Sequence, residues 1–144
     1  MFKNNSFAMF YAMYCGLLGI LAVPSILSVL VHTNKSSSIV TAYRRYMQTL
    51  YHVLLWFRHE FTPGTKAWKS LETIRKIHFS ASRSAQSASV GIISQKDMVI
   101  TQYGFMGFIV DCQKKLGIQA DVRDMEHFCH FWRVLGSLIG IKDE

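Results

Sequence analysis

His78 follows Arg75 by one helical turn, in a run that also carries Ile74 and Ile77, so an imidazole and a cation fall together in an apolar setting. That combination suits a haem-type site, where a ring nitrogen holds iron, although an ordinary core or surface histidine uses the same spacing. Other metal chemistry is poorly served. His127 and His130 are the only histidine pair near ligand spacing, and Glu126 stands immediately before His127, so no Glu-x-x-His pair of the di-iron kind occurs. Cys15, Cys112 and Cys129 are too widely spaced for a zinc site or a disulfide framework and read as buried, inert thiols. A Gly-x-Ser-x-Gly elbow and a glycine-rich phosphate loop are both missing from the sequence.

The 144 residues are half apolar and 17% charged, with a net charge of +7. This excludes intrinsic disorder and gives the length of one ordinary domain, so the chain reads as a single domain over 1–144. Residues 1–60 hold five Lys/Arg against Glu60, and residues 61–100 hold six against Glu72 and Asp97. The basic excess therefore belongs to the first two thirds, where it suits solvated helix faces, anionic lipid or an anionic cofactor. Nucleic acid is not expected as a partner, because Arg75, Lys76 and Arg83 are few and lie beside long apolar runs.

The elements that must position these residues are helices. Residues 7–31 contain no formal charge, and as one helix they would run about 37 Å, enough for a bilayer or for a fully buried core position. Pro24 is expected to kink or split that helix. A second helix is predicted over Ile39–Phe61 from the helical spacing of Val40, Tyr43, Met47, Leu50, Leu54 and Phe57, with a stop at Thr62-Pro63-Gly64. A third is predicted over Lys66–Ala85, with Trp68, Leu71, Ile74, Ile77 and His78 on one broad side. The spacing of Ser94 and Asp97 predicts a capped start for a fourth, running to Leu116 and ending at Gly117. Asp121 begins a fifth over Val122–Ile139, stopped by Gly140. No strand alternation or repeat competes, so the fold class is all-α with about five helices.

Two blocks carry a resemblance: Ile93-Ser94-Gln95-Lys96-Asp97-Met98 with Thr101, and His130-Phe131-Trp132-Arg133-Val134-Leu135-Gly136 leading into Leu138 to Glu144. Together they resemble the rubber oxygenases, or latex-clearing proteins, and the endoplasmic-reticulum-bound oxygenase of mycophenolic acid biosynthesis. Tyr43-Arg44-Arg45 through Thr49, and Arg75-x-x-His78, resemble weaker landmarks of the same family. The resemblance implies a globin-like helical haem-oxygenase core, a b-type haem, dioxygen, and a hydrophobic lipid or isoprenoid substrate.

Where the bacterial members carry their proximal histidine, this chain reads Thr101-Gln102-Tyr103. The resemblance thus implies His78 on the iron with Tyr103 opposite, or His78 or His130 as the ligand in place of Tyr103, with Arg75 and His78 at the reacting side and His130 and Arg45 as further cofactor contacts. It also makes the apolar 7–31 segment an internal helix and suggests a fragment of a longer domain; the compartment is left open, a membrane or the endoplasmic reticulum being compatible with it. The rival expectation is a non-catalytic membrane-associated or interaction protein that kept the fold without ligating haem.

Overall fold

The computed structural model describes residues 1–142. Asp143 and Glu144, which end the second block, lie outside the described residues. Among those residues there are six α-helices and one 3₁₀ turn and no strand, so the all-α expectation holds. The chain divides into two compact units: Met1–Val23 with the chain from Ser94 onward, and Pro24–Ile93.

The first unit begins with α1 (Phe2–Gly19), which tightens into a 3₁₀ turn at Ile20–Ala22. Val23 is extended, as a residue before proline must be, and Pro24 then starts α2 at the position where its missing N–H costs nothing. The apolar 7–31 run is therefore split by Pro24 as its sequence predicts.

Within the first unit α1 lies antiparallel to α5 (Gln95–Asp111), with Gly16 against Gly104 and Asn5 against the loop beyond α5. A Cβ on Gly16 would fall 1.8 Å from the Gly104 carbonyl oxygen, so both glycines are required by a backbone-to-backbone crossing. At the other end the buried Asn5 amide donates to the Gln119 carbonyl at 2.9 Å and accepts from the Gln119 N–H at 2.9 Å. That exchange satisfies a polar group that would otherwise be costly in an apolar helix.

α6 (Val122–Ile139) completes the unit, capped by Asp121, whose carboxylate accepts from the Asp124 N–H at 2.7 Å. Gly140 ends it in the left-handed region at φ 111°. Phe128, Trp132 and Leu135 form its buried stripe, at the spacing expected for one helix face.

The second unit contains α2 (Pro24–His32), α3 (Ile39–Arg58) and α4 (Lys66–Ser87). Ser38 and Thr41 form a reciprocal capping box at the start of α3, and Thr65 caps α4 by accepting from the Trp68 N–H. Between them the turn through Gly64, at φ 90°, reverses the chain, so α3 and α4 form an antiparallel hairpin.

The buried face of α3 is not the one its apolar residues first suggest. Tyr46, Val53 and Trp56 are buried, whereas Val40, Tyr43 and Met47 are exposed. Apolar residues occupy both sides of this helix, and only one side meets α4. Ile77 is exposed as well, so the buried stripe of α4 is narrower than predicted: Ala67, Leu71 and Ala85 are enclosed, with Ile74 and His78 half-buried between them.

Candidate functional site and the seam between the two sequence blocks

His78 sits on the buried stripe of α4, one turn beyond Ile74 and two turns before Ala85. Its Nδ1 is shut off from solvent and has no hydrogen-bond partner. Burial lowers the pKa of the ring below the ordinary 6.5, so the imidazole is neutral at pH 7. A neutral ring is the form that ligates a metal.

The register of the α3/α4 hairpin is fixed by His52 and Ser70, whose Nδ1 and Oγ lie 2.6 Å apart. Two turns further along both helices, that register brings Arg45 and His78 to the same level. Arg45 is half-buried, with its guanidinium carbon 4.6 Å from the Tyr46 ring centroid, and its Nε is enclosed without a hydrogen-bond partner. A neutral imidazole and a permanent cation, each with an unmet nitrogen, therefore share one level of the second unit. Arg75 is exposed one turn before His78.

Tyr103 and His130 belong to the first unit, and both are exposed. The Tyr103 ring lies along α5 over Gly107, where an added Cβ would come within 2.6 Å of it. The Tyr103 hydroxyl donates to the Asp111 carboxylate. That hydrogen bond, together with the carboxylate charge, raises the phenol pKa above its ordinary 10.0. The arrangement favours the phenol, the opposite of what tyrosinate ligation requires.

The two sequence blocks that carry the family resemblance meet as one seam. Gln95 Nε2 donates to the Gly140 carbonyl at 2.9 Å, and its Oε1 accepts from the Lys142 N–H at 3.0 Å. Further along, Gln102 occupies the space beside Gly136, where a Cβ would lie 2.4 Å from its Oε1. Phe105 then stacks on Trp132 with centroids 5.3 Å apart. These pairs run in one antiparallel register, so the spacing of the blocks is the spacing of facing residues on α5 and α6.

Asp97 anchors the start of that seam. Buried at 5% exposure, it accepts from the Ser94 N–H at 3.0 Å and the Ser94 hydroxyl at 2.7 Å, while its own N–H donates back to Ser94 Oγ. The box is the one predicted from sequence. A shallow cleft of about 170 Å³ opens on the seam, lined by Gln102, Met106, Cys129, Arg133 and Ser137 among others. Cys15, Cys112 and Cys129 are free but half-buried, more open than the enclosed thiols expected.

Sequence reasoning missed Asn5, His52, Gln95 and Gln102. A polar residue inside an apolar helix has to find a partner, which was the available signal for Asn5 and His52. Gln95 and Gln102 stand among the residues compared with the family, but nothing local marked their contacts, since their partners lie far along the chain. Among the described residues no cluster of three His, Cys, Asp or Glu side chains could hold a bare metal ion.

Comparison with known proteins gives the family of the chain. Residues 2–144 match the family model described as "ER-bound oxygenase mpaB/B'/Rubber oxygenase, catalytic domain". A 52-residue stretch, 36% of this chain, is 31% identical to the rubber oxygenase of Streptomyces sp. (strain K30), and covers 13% of that protein. No solved structure matches the chain at a significant level. With the match running over essentially its whole length, the chain belongs to the catalytic-domain family of the ER-bound oxygenases mpaB/B' and the rubber oxygenases.

Proposed function

We propose that this chain is a haem-dependent oxygenase domain that uses dioxygen to oxidise a hydrophobic lipid or isoprenoid substrate, with His78 as the iron ligand. The observation that carries the reading is the enclosed, unpartnered Nδ1 of a neutral His78. A buried polar atom left unsatisfied is costly, and a ligand in the same space would remove that cost.

The residues present fit a b-type haem in two respects. His78 offers an imidazole that carries no proton on one ring nitrogen at pH 7, and Arg45 offers a permanent cation suited to a propionate. Tyr103 is poorly suited to hold iron, because Asp111 holds it as a phenol. His130 is exposed and is not assigned to the iron.

The dioxygen chemistry is what a bound haem supplies. The chain's own residues would orient and neutralise it: His78 would hold the iron, Arg45 would balance a propionate, and the buried apolar residues of α3 and α4, such as Val53, Trp56 and Leu71, would limit the access of water. A substrate without polar handles suits such walls, which offer burial rather than hydrogen bonds.

The purified chain loaded with hemin should consume dioxygen when given a short polyisoprenoid, and the unloaded chain should not. Hemin uptake with no dioxygen consumption on such substrates would sink the oxygenase assignment. No hemin uptake would favour the rival reading, a non-catalytic membrane-associated or interaction protein, which the Tyr103–Asp111 bond also suits.

A further inference from the structure

The exposed side of α3 is more apolar than its buried side requires. Val40, Tyr43, Met47 and Tyr51 follow one another at three- and four-residue spacing, with exposures of 58%, 64%, 47% and 58%, and Ile39 at the amino end is 90% exposed. The stripe is continuous along one side of the helix, as an interaction face is, rather than a set of isolated surface apolar residues. Two tyrosines and a methionine make it amphipathic rather than core-like, as residues at a bilayer interface are.

Charge narrows the partner. Pro24–Ile93 carries nine Lys/Arg against Glu60 and Glu72, so the whole net charge of +7 belongs to this unit, while the rest of the chain balances. Arg44 lies beside the stripe and Arg58 at its carboxyl end, both exposed. Of the two acids, Glu60 lies past the end of α3, and Glu72 accepts from Trp68 Nε1 at 3.0 Å. An apolar stripe flanked by uncompensated cations is complementary to an anionic lipid headgroup layer with acyl chains beneath it.

We propose that the Ile39–Tyr51 face of α3 is a peripheral docking surface for an anionic bilayer. It is independent of haem binding, and it differs from bilayer crossing by Phe2–Ala22, the one helical segment among the described residues long and apolar enough to span. Docking of this kind brings the α3/α4 hairpin to the phase where a lipid-soluble substrate resides.

The test is co-sedimentation of the full chain with phosphatidylcholine vesicles, with and without phosphatidylserine, at low and high salt. Binding should require phosphatidylserine and weaken at high salt, because the attraction of exposed charges is screened. Combined Tyr43→Ser, Met47→Ser and Tyr51→Ser should reduce it about tenfold at unchanged helix content. Arg44→Glu, a single exposed change that leaves the fold alone, should weaken binding to the phosphatidylserine vesicles specifically. Three outcomes would overturn the proposal: vesicle binding by the triple variant equal to that of the parent, loss of binding in Phe7→Ser with Tyr11→Ser instead, or concentration-dependent self-association that the triple variant abolishes. Preferential binding to a single-stranded oligonucleotide that competes with the vesicles would also overturn it.

Discussion

Gly16 and Gly104 touch through their backbones, and any side chain on Gly16 would overlap the Gly104 carbonyl. Three residues further along, Gly19 has nothing within 4 Å of the place where its Cβ would stand. The two glycines of α1 therefore answer the same substitution with opposite signs. Gly16→Ala should destabilise by roughly 3 kcal/mol, because helices packed at backbone distance must separate. Gly19→Ala, at an ordinary right-handed position, should stabilise by about 0.5–1 kcal/mol through lost freedom of the unfolded chain. Urea midpoints of the two variants decide this, and equal shifts would contradict the close crossing.

The cap of α5 is a second point of leverage. Ser94→Ala removes both the acceptor for the Asp97 N–H and a donor to its buried carboxylate, and should cost about 1–2 kcal/mol. Asp97→Asn keeps the shape but loses the charge that the helix start favours, and should cost less. Chemical denaturation of both variants gives the order directly.

Tyr103 should titrate late. Asp111→Asn removes the carboxylate that holds the phenol proton, and the Tyr103 pKa should fall back toward its ordinary value near 10. Gly107→Ala should act in the same direction, by displacing the ring that reaches Asp111. Tyrosine ring-carbon NMR across the alkaline range reads this residue by residue, and a Tyr103 titration unchanged in both variants would refute the contact.

His52 and His78 make stability depend on pH. Burial lowers both native pKa values below 6.5, while the unfolded chain keeps ordinary imidazoles. As pH falls below about 6.5 the unfolded state takes up protons first, so stability declines from there down to the native pKa values. Above that range the contribution is fully present. The denaturation midpoint should drop between pH 7.5 and pH 5, with a shallower drop in His78→Gln, and a midpoint rising on acidification would contradict the sign.

Helix boundaries set by local chemistry were legible in the sequence. α6 runs from Val122 to Ile139 as predicted because Asp121 and Gly140 each act on their immediate neighbours. α5 was expected to reach Leu116 but stops at Asp111, where Gln113 turns away to donate to the Ala120 carbonyl at 2.6 Å. Nothing in the periodicity marks that exchange. The buried face of α3 was not legible for a related reason: apolar residues lie on both sides, and only contact with α4 selects Tyr46, Val53 and Trp56. At the candidate site His78 stood out by its apolar setting. Its alignment with Arg45 depends on the His52–Ser70 register, which a single chain of letters does not display.

His78 as the iron ligand is the claim on which the functional reading depends, and ligand replacement tests it most directly. Hemin should bind the parent chain with a sharp Soret band, lose or displace that band in His78→Gly, and recover it when imidazole is added to the variant. Identical Soret spectra and hemin stoichiometry for the parent and His78→Gly, with no response to imidazole, would contradict the assignment.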